Sequence, residues 1–332
     1  MPDYQPPFTL NNEMVSLVAE ISEMAGRLTV LWENDSALRL RRINRIRSVT
    51  GSLAIEGNTL SEEQITAVLD GKRVIAPARE IQEAHNALAA YEQMASWSAC
   101  NPNDLLSAHK QLMLGLIDSA GAYRQGGVGV MAGDEVLHMA PPANQIHRLM
   151  SDLFDWLKHT EVHPLIASSV FHYEFEFIHP FADGNGRVGR LWQTLLLADW
   201  LPIFRFLPVE SLVHKHQKAY YQALNESTVQ TDSAPFILFM LKMIRDAVLS
   251  VNTPEAAPEV TPEVVRLINI LVEEMSSQQL MAVMGLKDEK HFRQHYRQAA
   301  LEAGVIEMTL PDKPRSSKQR YRLTELGRKL AK

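Results

Sequence analysis

Along most of the first 250 residues, apolar side chains recur at intervals of three and four, which is the spacing of amphipathic α-helices. Residues 37–57 show this spacing clearly, with Ile46 and Val49 on one face. A further helix is predicted from Ser61, because a capping serine opens it and Gly71 ends it. The same spacing predicts helices over residues 78–97, 103–117, 143–159, 164–178 and 187–201. The pattern therefore favours a mainly α-helical body.

One segment interrupts this helical pattern. Residues 120–142 are rich in glycine, contain short runs of β-forming residues and end in Pro141 and Pro142. Short runs of this kind between glycines are typical of a hairpin. The segment is therefore interpreted as a small hairpin or extended flap within the helical body.

A proline-rich linker, residues 251–261, separates the body from a C-terminal region, residues 262–332. The C-terminal region predicts three helices and then two strands, over residues 262–275, 276–285, 288–304, 305–310 and 319–324. Three helices followed by a hairpin are typical of a winged helix-turn-helix.

The third of these helices has two different faces. Phe292, Tyr296 and Ala299 form an apolar face. The opposite, basic face gives the candidate DNA contacts Lys290, Arg293, Gln294 and Arg297. Residues 261–332 hold 13 Lys and Arg against 9 Asp and Glu, a modest excess, and winged helices also bind proteins. The predicted partner of this region is therefore DNA or a protein.

The composition is that of an ordinary globular protein, with 46% hydrophobic and 22% charged residues. A single cysteine, Cys100, excludes an intramolecular disulfide and favours a reducing, cytoplasmic compartment. The first residues lack the basic and apolar parts of a signal peptide, and no uncharged apolar run reaches the ~18 residues of a membrane span. No membrane partner is expected.

The candidate chemistry lies in residues 179–190, HPFADGNGRVGR. Gly184 and Gly186 flank an asparagine in a tight turn that leads into a helix. A helix N-terminus presents unpaired N–H groups and the positive end of its dipole, which suits a phosphate. Arg187 and Arg190 are three residues apart, so both lie on one face and extend this site along a polyphosphate.

A carboxylate and a base complete the motif. Asp183 supplies the hard oxygen that Mg²⁺ prefers when phosphates fill the rest of its shell. His179 lies just before the turn and can accept a proton near neutral pH. Together these groups indicate attack by a hydroxyl on a nucleotide phosphate. A P-loop is excluded, because no lysine followed by Ser or Thr comes after the last glycine.

Residues 179–190 resemble the motif of the Fic family, HPFxDGNGRxxR, at every fixed position. The resemblance implies a helical Fido fold with a β-hairpin flap, and transfer of AMP from ATP to a Ser, Thr or Tyr hydroxyl of a protein. It implies that His179 is the general base, that Asp183 holds Mg²⁺ and that Phe181 anchors the loop in the core. It assigns the phosphates of ATP to Gly184, Asn185, Gly186, Arg187 and Arg190.

Two further segments extend the resemblance. Residues 122–130, followed by two prolines, resemble the family's flap, which binds the target peptide by adding a strand to it. The resemblance places Val130, Met131, Ala132 and Gly133 beside the nucleotide, and Tyr220 and Tyr221 in an adenine pocket. A tyrosine pair on a helix is also often only packing, and Thr228 stands where some relatives have an asparagine.

Residues 52–58, SLAIEGN, resemble the family's inhibitory motif, [ST]xxxE[GN]. Ser52 and Glu56 are four residues apart and so lie on one helix face. In relatives the glutamate pairs with the second arginine of the active-site motif and prevents a productive γ-phosphate pose, which here implies a Glu56–Arg190 pair. An ordinary surface carboxylate is the alternative. The inhibitory helix would span about 36–57.

The sequence thus predicts a cytoplasmic protein adenylyltransferase that uses ATP and Mg²⁺, is autoinhibited by Glu56 and modifies itself and a target protein with an accessible hydroxyl. The predicted domains are a helical region over 1–100, a catalytic domain over 101–250 and the winged helix. Assembly into a homo-oligomer stays open. So do two alternatives: the same site removes AMP or transfers another nucleotide, or the chain is a nucleotide-sensing, DNA-binding regulator.

Overall fold

The computed structural model describes residues 4–31, 37–132, 135–252, 261–310, 316 and 318–331. These residues form two compact units, a larger one of residues 4–31 and 40–251 and a C-terminal one of residues 37–39 and of those from Asn252 onward. Most of the predicted linker, residues 253–260, lies outside the described residues. Within the described ranges, every helix is too short or too polar to cross a membrane.

The larger unit is helical apart from one hairpin. Its helices are α1 (Asn12–Leu31), α2 (Ala37–Ile55), α3 (Glu62–Leu69), α4 (Ala78–Gln93), α5 (Pro102–Leu112), α6 (Ile146–His159), α7 (Pro164–Ile178), α8 (Asn185–Trp200), α9 (Val209–Lys215), α10 (Gln217–Gln230) and α11 (Ala234–Asn252), with 3-10 turns at Met94–Ser96, Ala143–Gln145 and Pro202–Phe206. The predicted hairpin pairs β1 (Gly129–Ala132) with β2 (Glu135–Met139) antiparallel.

The predicted helix boundaries are confirmed in part. Ser61 begins α3 with a capping box, in which its hydroxyl accepts from the Gln64 N–H and the Gln64 side chain accepts from the Ser61 N–H. The helix predicted over 103–117 is shorter, because α5 ends at Leu112 and Gly115 has a left-handed φ of 71°. A helix cannot continue through that backbone conformation.

The core of the larger unit is built around α7 and α8, which pack closely against each other. Both helices are buried along most of their length, and Phe171, Phe175 and Trp192 are fully buried. Trp192 also donates a hydrogen bond to the Ala99 carbonyl at 3.0 Å. Because the motif of residues 179–190 begins where α7 ends and continues into α8, both of its ends are fixed by this core.

Helix α2 packs against the start of α9 through a glycine. A Cβ atom on Gly51 would lie 2.5 Å from the backbone nitrogen of Ser211, so only glycine permits this approach. The Ser211 hydroxyl donates to the Arg47 carbonyl at 2.7 Å across the same contact. The contact sets the depth at which α2 lies in the unit.

The C-terminal unit contains the predicted helices and hairpin. Its elements are α12 (Pro262–Ile270), α13 (Ser277–Met284), a continuous helical stretch of α14 (Glu289–His291), π-helical Phe292–Gln298 and α15 (Ala299–Glu302), then β3 (Ile306–Met308), β4 (Tyr321–Leu323) and α16 (Glu325–Leu330). The prediction that the first helix reaches Met275 is wrong. It ends at Ile270, because the backbone of Met275 pairs with that of Tyr321.

We expect Gly51→Ala to lower the free energy of unfolding by about 1–3 kcal/mol, because the added methyl meets backbone that cannot move aside. Gly26→Ala is the matched control: Gly26 lies within α1 with nothing within 4 Å of its Cβ position, so alanine should stabilise by about 0.5–1 kcal/mol. Denaturant unfolding measures both. Equal stability of the two variants would contradict the close contact.

Candidate active site

His179 lies at the C-terminal end of α7 in a strained backbone conformation. Its φ of 50° and ψ of 61° are left-handed, which is uncommon for a residue other than glycine. Such conformations persist where the surrounding structure enforces them, and they cluster at functional sites. The side chain is 19% exposed, so the imidazole is partly accessible.

The loop from His179 to α8 is held by side chains that point inward. Phe181 is fully buried, as predicted, and stacks on the His109 ring at 3.7 Å. The Asn185 amide accepts from the Phe181 N–H and donates to the Phe181 carbonyl, both at 2.9 Å. Asn185 can therefore offer a phosphate only its backbone N–H, because its side chain is committed to the loop.

His109 is a residue that the sequence predictions missed. Its Nδ1 accepts from the Gly121 N–H at 2.8 Å, so Nε2 carries the proton and donates to the Asp183 carbonyl at 3.0 Å. Burial lowers the pKa of His109 to about 4, and the ring is neutral. A histidine among apolar residues of a helix gives no sequence signal that separates this role from core packing.

Asp183 and Arg187 lie side by side at the entrance to α8. One Asp183 oxygen accepts from the Gly184 N–H at 2.6 Å and from Arg187 at 3.1 Å, and the other accepts from Arg79 at 3.4 Å. The Arg187 side chain is only 5% exposed and also lies 3.6 Å from Glu83. Arg79 and Glu83, both on α4, are further neighbours that the motif did not reveal.

Asp183 fits a magnesium ion that arrives with a phosphate. Its carboxylate is 40% exposed, and its contact with Arg79 is long. The described residues include no group of three or more metal-binding side chains, so a protein cage for the ion is absent from that part of the chain. Mg²⁺ usually takes one or two carboxylates and completes its shell with phosphates and water.

Arg190 is buried and bonded to α2 and to Glu56, which directly follows that helix. Its guanidinium donates to the Ser52 hydroxyl at 3.2 Å, to the Ser52 carbonyl at 3.0 Å and to the Glu56 carboxylate at 2.7 Å. The Arg190 side chain is 2% exposed, and that of Glu56 is 30% exposed. Burial opposes the charged form of Arg190, but the Glu56 carboxylate raises its pKa above the usual value, so the group stays charged.

The Glu56 carboxylate also lies against the first turn of α8. A Cβ atom on Gly186 would lie 2.5 Å from Glu56 Oε1. Glycine at this position therefore lets the carboxylate reach the N-terminus of the helix, where an anion is stabilised by the helix dipole. The carboxylate lies where the motif predicts that a phosphate binds.

Arg124 joins the flap segment to the motif loop, and the sequence predictions missed it. Its guanidinium donates to the carbonyls of His179 at 2.7 Å, Gly126 at 2.6 Å and Pro141 at 2.6 Å. Both ends of the hairpin are thereby tied to the residue that precedes the loop. A single arginine within a glycine-rich segment indicates no such role from sequence alone.

The predicted nucleotide contacts of the flap are only partly described. Val130, Met131 and Ala132 belong to β1, where the backbone pairing is defined and the side chains lie outside the described set. Gly133 lies outside the described residues. The contact of these four positions with a nucleotide stays a prediction.

The two tyrosines on α10 lie in different environments. Tyr220 is 2% exposed, and its hydroxyl bonds to His172 Nε2 at 3.1 Å, so it packs in the core and has little surface left for a ligand. Tyr221 is partly exposed. Thr228 bonds to the Tyr173 hydroxyl at 3.2 Å. Adenine binding stays a prediction for Tyr221.

A separate surface, in the C-terminal unit, holds the candidate DNA contacts. The exposed side chains are Lys290, Arg293 and Gln294. Arg297 is half-buried, donates to the Ser277 hydroxyl at 3.0 Å and lies over the Tyr321 ring. Periodicity places Arg297 on the basic face, but packing against neighbouring elements engages its charge. DNA contact at these four residues stays a prediction.

Several known proteins are similar to this chain. Residues 99–197 match the Fic/DOC family, and residues 262–324 match the Fic-like C-terminal domain of filamentation induced by cAMP proteins. A solved Fic family protein from Desulfovibrio desulfuricans G20 is 53% identical, covers 97% of this chain and 99% of its own, and has a TM-score of 0.75. Solved Fic-1 from Caenorhabditis elegans is 22% identical, covers 71% of each chain and has a TM-score of 0.60.

Among curated proteins, protein adenylyltransferase Fic of Aedes aegypti is 28% identical over 269 residues, which are 73% of this chain and 51% of that protein. The chain spans about half the length of the curated relatives it matches.

The fold and site define a helical protein that carries a polar loop and two buried arginines at a helix N-terminus. The chain belongs to the Fic family, because it is 53% identical over nearly its whole length to a solved member.

The neutral His109 predicts a loss of stability in acid. Its pKa is about 4 in the folded protein and 6.5 when unfolded, so the unfolded state binds more protons between these values. This contribution is complete above pH 6.5 and falls by up to about 3 kcal/mol as the pH drops towards 4. His109→Gln should flatten the pH dependence of denaturant unfolding between pH 7 and 5, whereas the exposed His85→Gln should not. The same pH dependence in wild type and His109→Gln would refute the assignment.

Proposed function

We propose that this protein is a protein adenylyltransferase, which transfers AMP from ATP to a Ser, Thr or Tyr hydroxyl of a target protein. The observation that carries the proposal is the placement of His179, Asp183 and Arg190 around one helix N-terminus, held by buried contacts. Curated relatives that are named protein adenylyltransferases support it at the level of the family.

In this proposal the phosphates of ATP lie at the N-terminus of α8, where the first N–H groups have no partner within the helix. Gly184 and Gly186 let the phosphates approach the backbone, and Arg187 and Arg190 bind the outer phosphates. Mg²⁺ held by Asp183 would neutralise phosphate charge. Cytosolic ATP and Mg²⁺ would supply both components.

The target hydroxyl would attack the α-phosphorus. Its oxygen forms a bond to that phosphorus, the bond from the phosphorus to the bridging oxygen of the β-phosphate breaks, and pyrophosphate leaves. His179 accepts the hydroxyl proton. The two-stranded flap offers open strand edges, and we propose that the target segment pairs with one of them and so brings its hydroxyl to His179.

Glu56 would act as a brake on this reaction. While its carboxylate holds Arg190, the arginine is not available to the γ-phosphate, and the carboxylate itself repels a phosphate at the first turn of α8. ATP then binds in a pose whose α-phosphorus is not aligned with the attacking hydroxyl. Removing the carboxylate releases Arg190 and removes the repulsion.

Two alternatives use the same chain differently. The partly exposed Glu56 could orient a water for removal of AMP, or the site could take another nucleotide. A nucleotide-sensing regulator would instead act through DNA contacts of the C-terminal unit. Mass spectrometry after incubation with each nucleotide tests for transfer of another nucleotide, and an assay of AMP release tests for removal of AMP. Binding of duplex DNA without any transfer would favour the regulator.

We expect Glu56→Gly to incorporate at least tenfold more AMP into itself than wild type, since about 1.4 kcal/mol of lost barrier gives this factor. The measurement is mass spectrometry of the +AMP adduct at equal MgATP. Adding Arg190→Ala should cancel the gain, and adding His179→Ala should abolish transfer while ATP still binds.

Ala54→Gly is the matched control for this experiment, because it places a glycine in the last turn of α2, two residues before Glu56, and keeps the carboxylate. If it activates as strongly as Glu56→Gly, the gain comes from a loosened helix. If wild type is active and Glu56→Gly adds nothing, Glu56 is not a brake. Full transfer with His179→Ala would remove His179 from the mechanism.

Asp183→Asn tests the metal assignment. We expect it to remove the Mg²⁺ dependence of ATP binding, measured by calorimetry, together with most transfer in the Glu56→Gly background. The exposed Asp118→Asn should leave both unchanged. Magnesium titration curves that are identical in wild type and Asp183→Asn would show that the ion is held elsewhere.

A further inference from the structure

A buried carboxylate lies behind His179. Glu176 is three residues earlier on α7 and 7% exposed, and its Oε2 lies 3.9 Å from His179 Nδ1. The same Nδ1 lies 3.3 Å from the Glu176 carbonyl oxygen. Because a carbonyl only accepts hydrogen bonds, Nδ1 carries the proton in this contact, and Nε2 is left unprotonated to act as a base.

The other oxygen of this carboxylate is buried without a hydrogen bond among the described residues. Glu176 Oε1 lies 3.7 Å from His172 Nε2. Room for it comes from Gly189 on α8, where a Cβ atom would lie 2.6 Å from Oε1. A glycine within a buried helix and an unsatisfied buried oxygen both cost stability. Their coincidence behind the base indicates that the charge has a function.

Charged and titratable groups surround this carboxylate and the base. The charged and titratable groups that face them are His172 on α7, Arg190 on α8, Tyr220 on α10 through His172, and Arg124 at the His179 carbonyl. Burial alone would raise the pKa of Glu176, but His172, His179 and Arg190 hold it below the usual value. The carboxylate is therefore ionised at neutral pH.

We propose that Glu176 is a positioning residue for His179: its backbone carbonyl holds the imidazole with Nε2 unprotonated, and its carboxylate stabilises the imidazolium formed when His179 takes the hydroxyl proton. This inference rests on the proposed transfer reaction. The proton moves from the hydroxyl to Nε2, and Glu176 keeps its charge throughout. In serine proteases a buried carboxylate likewise stabilises the imidazolium of a histidine base, although there it accepts a hydrogen bond from Nδ1 directly.

The test compares Glu176→Gln with Glu174→Gln in the full chain. Glu174 is a matched control, because it lies on the same helix, is 6% exposed and accepts a hydrogen bond from Tyr4 at 2.7 Å. NMR of labelled histidine rings follows the titration of His179 without any need for activity, with the signal assigned through His179→Gln. We expect Glu176→Gln to lower the titration midpoint of His179 by about one unit or more, and Glu174→Gln to leave it unchanged.

Transfer in the Glu56→Gly background gives a second readout. We expect Glu176→Gln to reduce kcat about tenfold, the equivalent of one pKa unit, and to leave KM for ATP unchanged. The acid limb of the pH–rate profile should move to lower pH. Glu176→Asp keeps the charge, so the titration midpoint of His179 should stay close to its wild-type value. This variant tests the role of the charge if Glu176→Gln folds poorly.

An unchanged midpoint in Glu176→Gln, or an equal shift in Glu174→Gln, would overturn the inference. If Glu56→Gly transfers no AMP, the proposed function fails, whereas the titration still decides whether Glu176 acts on His179.

Discussion

The buried charge of Arg190 is the constraint on which the larger unit depends. A buried charge without a partner costs several kcal/mol, about 3–5 when one member of a pair is removed. Helix α2 and the turn that follows it supply the partners, through both oxygens of Ser52 and the carboxylate of Glu56. The helix must therefore lie with these two residues facing α8, and the glycine contact at Gly51 sets its depth. The candidate brake and the candidate catalytic motif share one core for this reason.

Most of the motif's polar side chains bind the protein itself. Asn185 holds Phe181, Phe181 stacks on His109, and His109 holds the Asp183 carbonyl. In the proposed reaction, the groups left for a phosphate before Arg190 is released are backbone N–H groups and the Arg187 side chain, which is already fixed in place. Donors held rigid in this way need no rearrangement when charge develops on a bound phosphate, which is the condition for electrostatic catalysis.

The sequence predictions failed where a distant partner decides the local structure. The first C-terminal helix stops at Ile270, because Met275 pairs with Tyr321. Arg297 lies on the predicted basic face, and the periodicity did not show that it also contacts Ser277 and the Tyr321 ring. Helical spacing assigns a residue to a face, but it does not say which element covers that face.

Local periodicity and a contiguous motif were enough to determine the main helices, the hairpin and the chemical character of residues 179–190, because these depend on neighbours along the chain. Only the tertiary structure decided what surrounds them. Arg124 reaches His179 across 55 residues, His109 reaches Asp183 across 74, and Ser52 reaches Arg190 across 138. Glu176 is only three residues from His179 along the chain. Its charge can act strongly on His179 only because α8 buries it, since burial removes the water that would otherwise screen the charge.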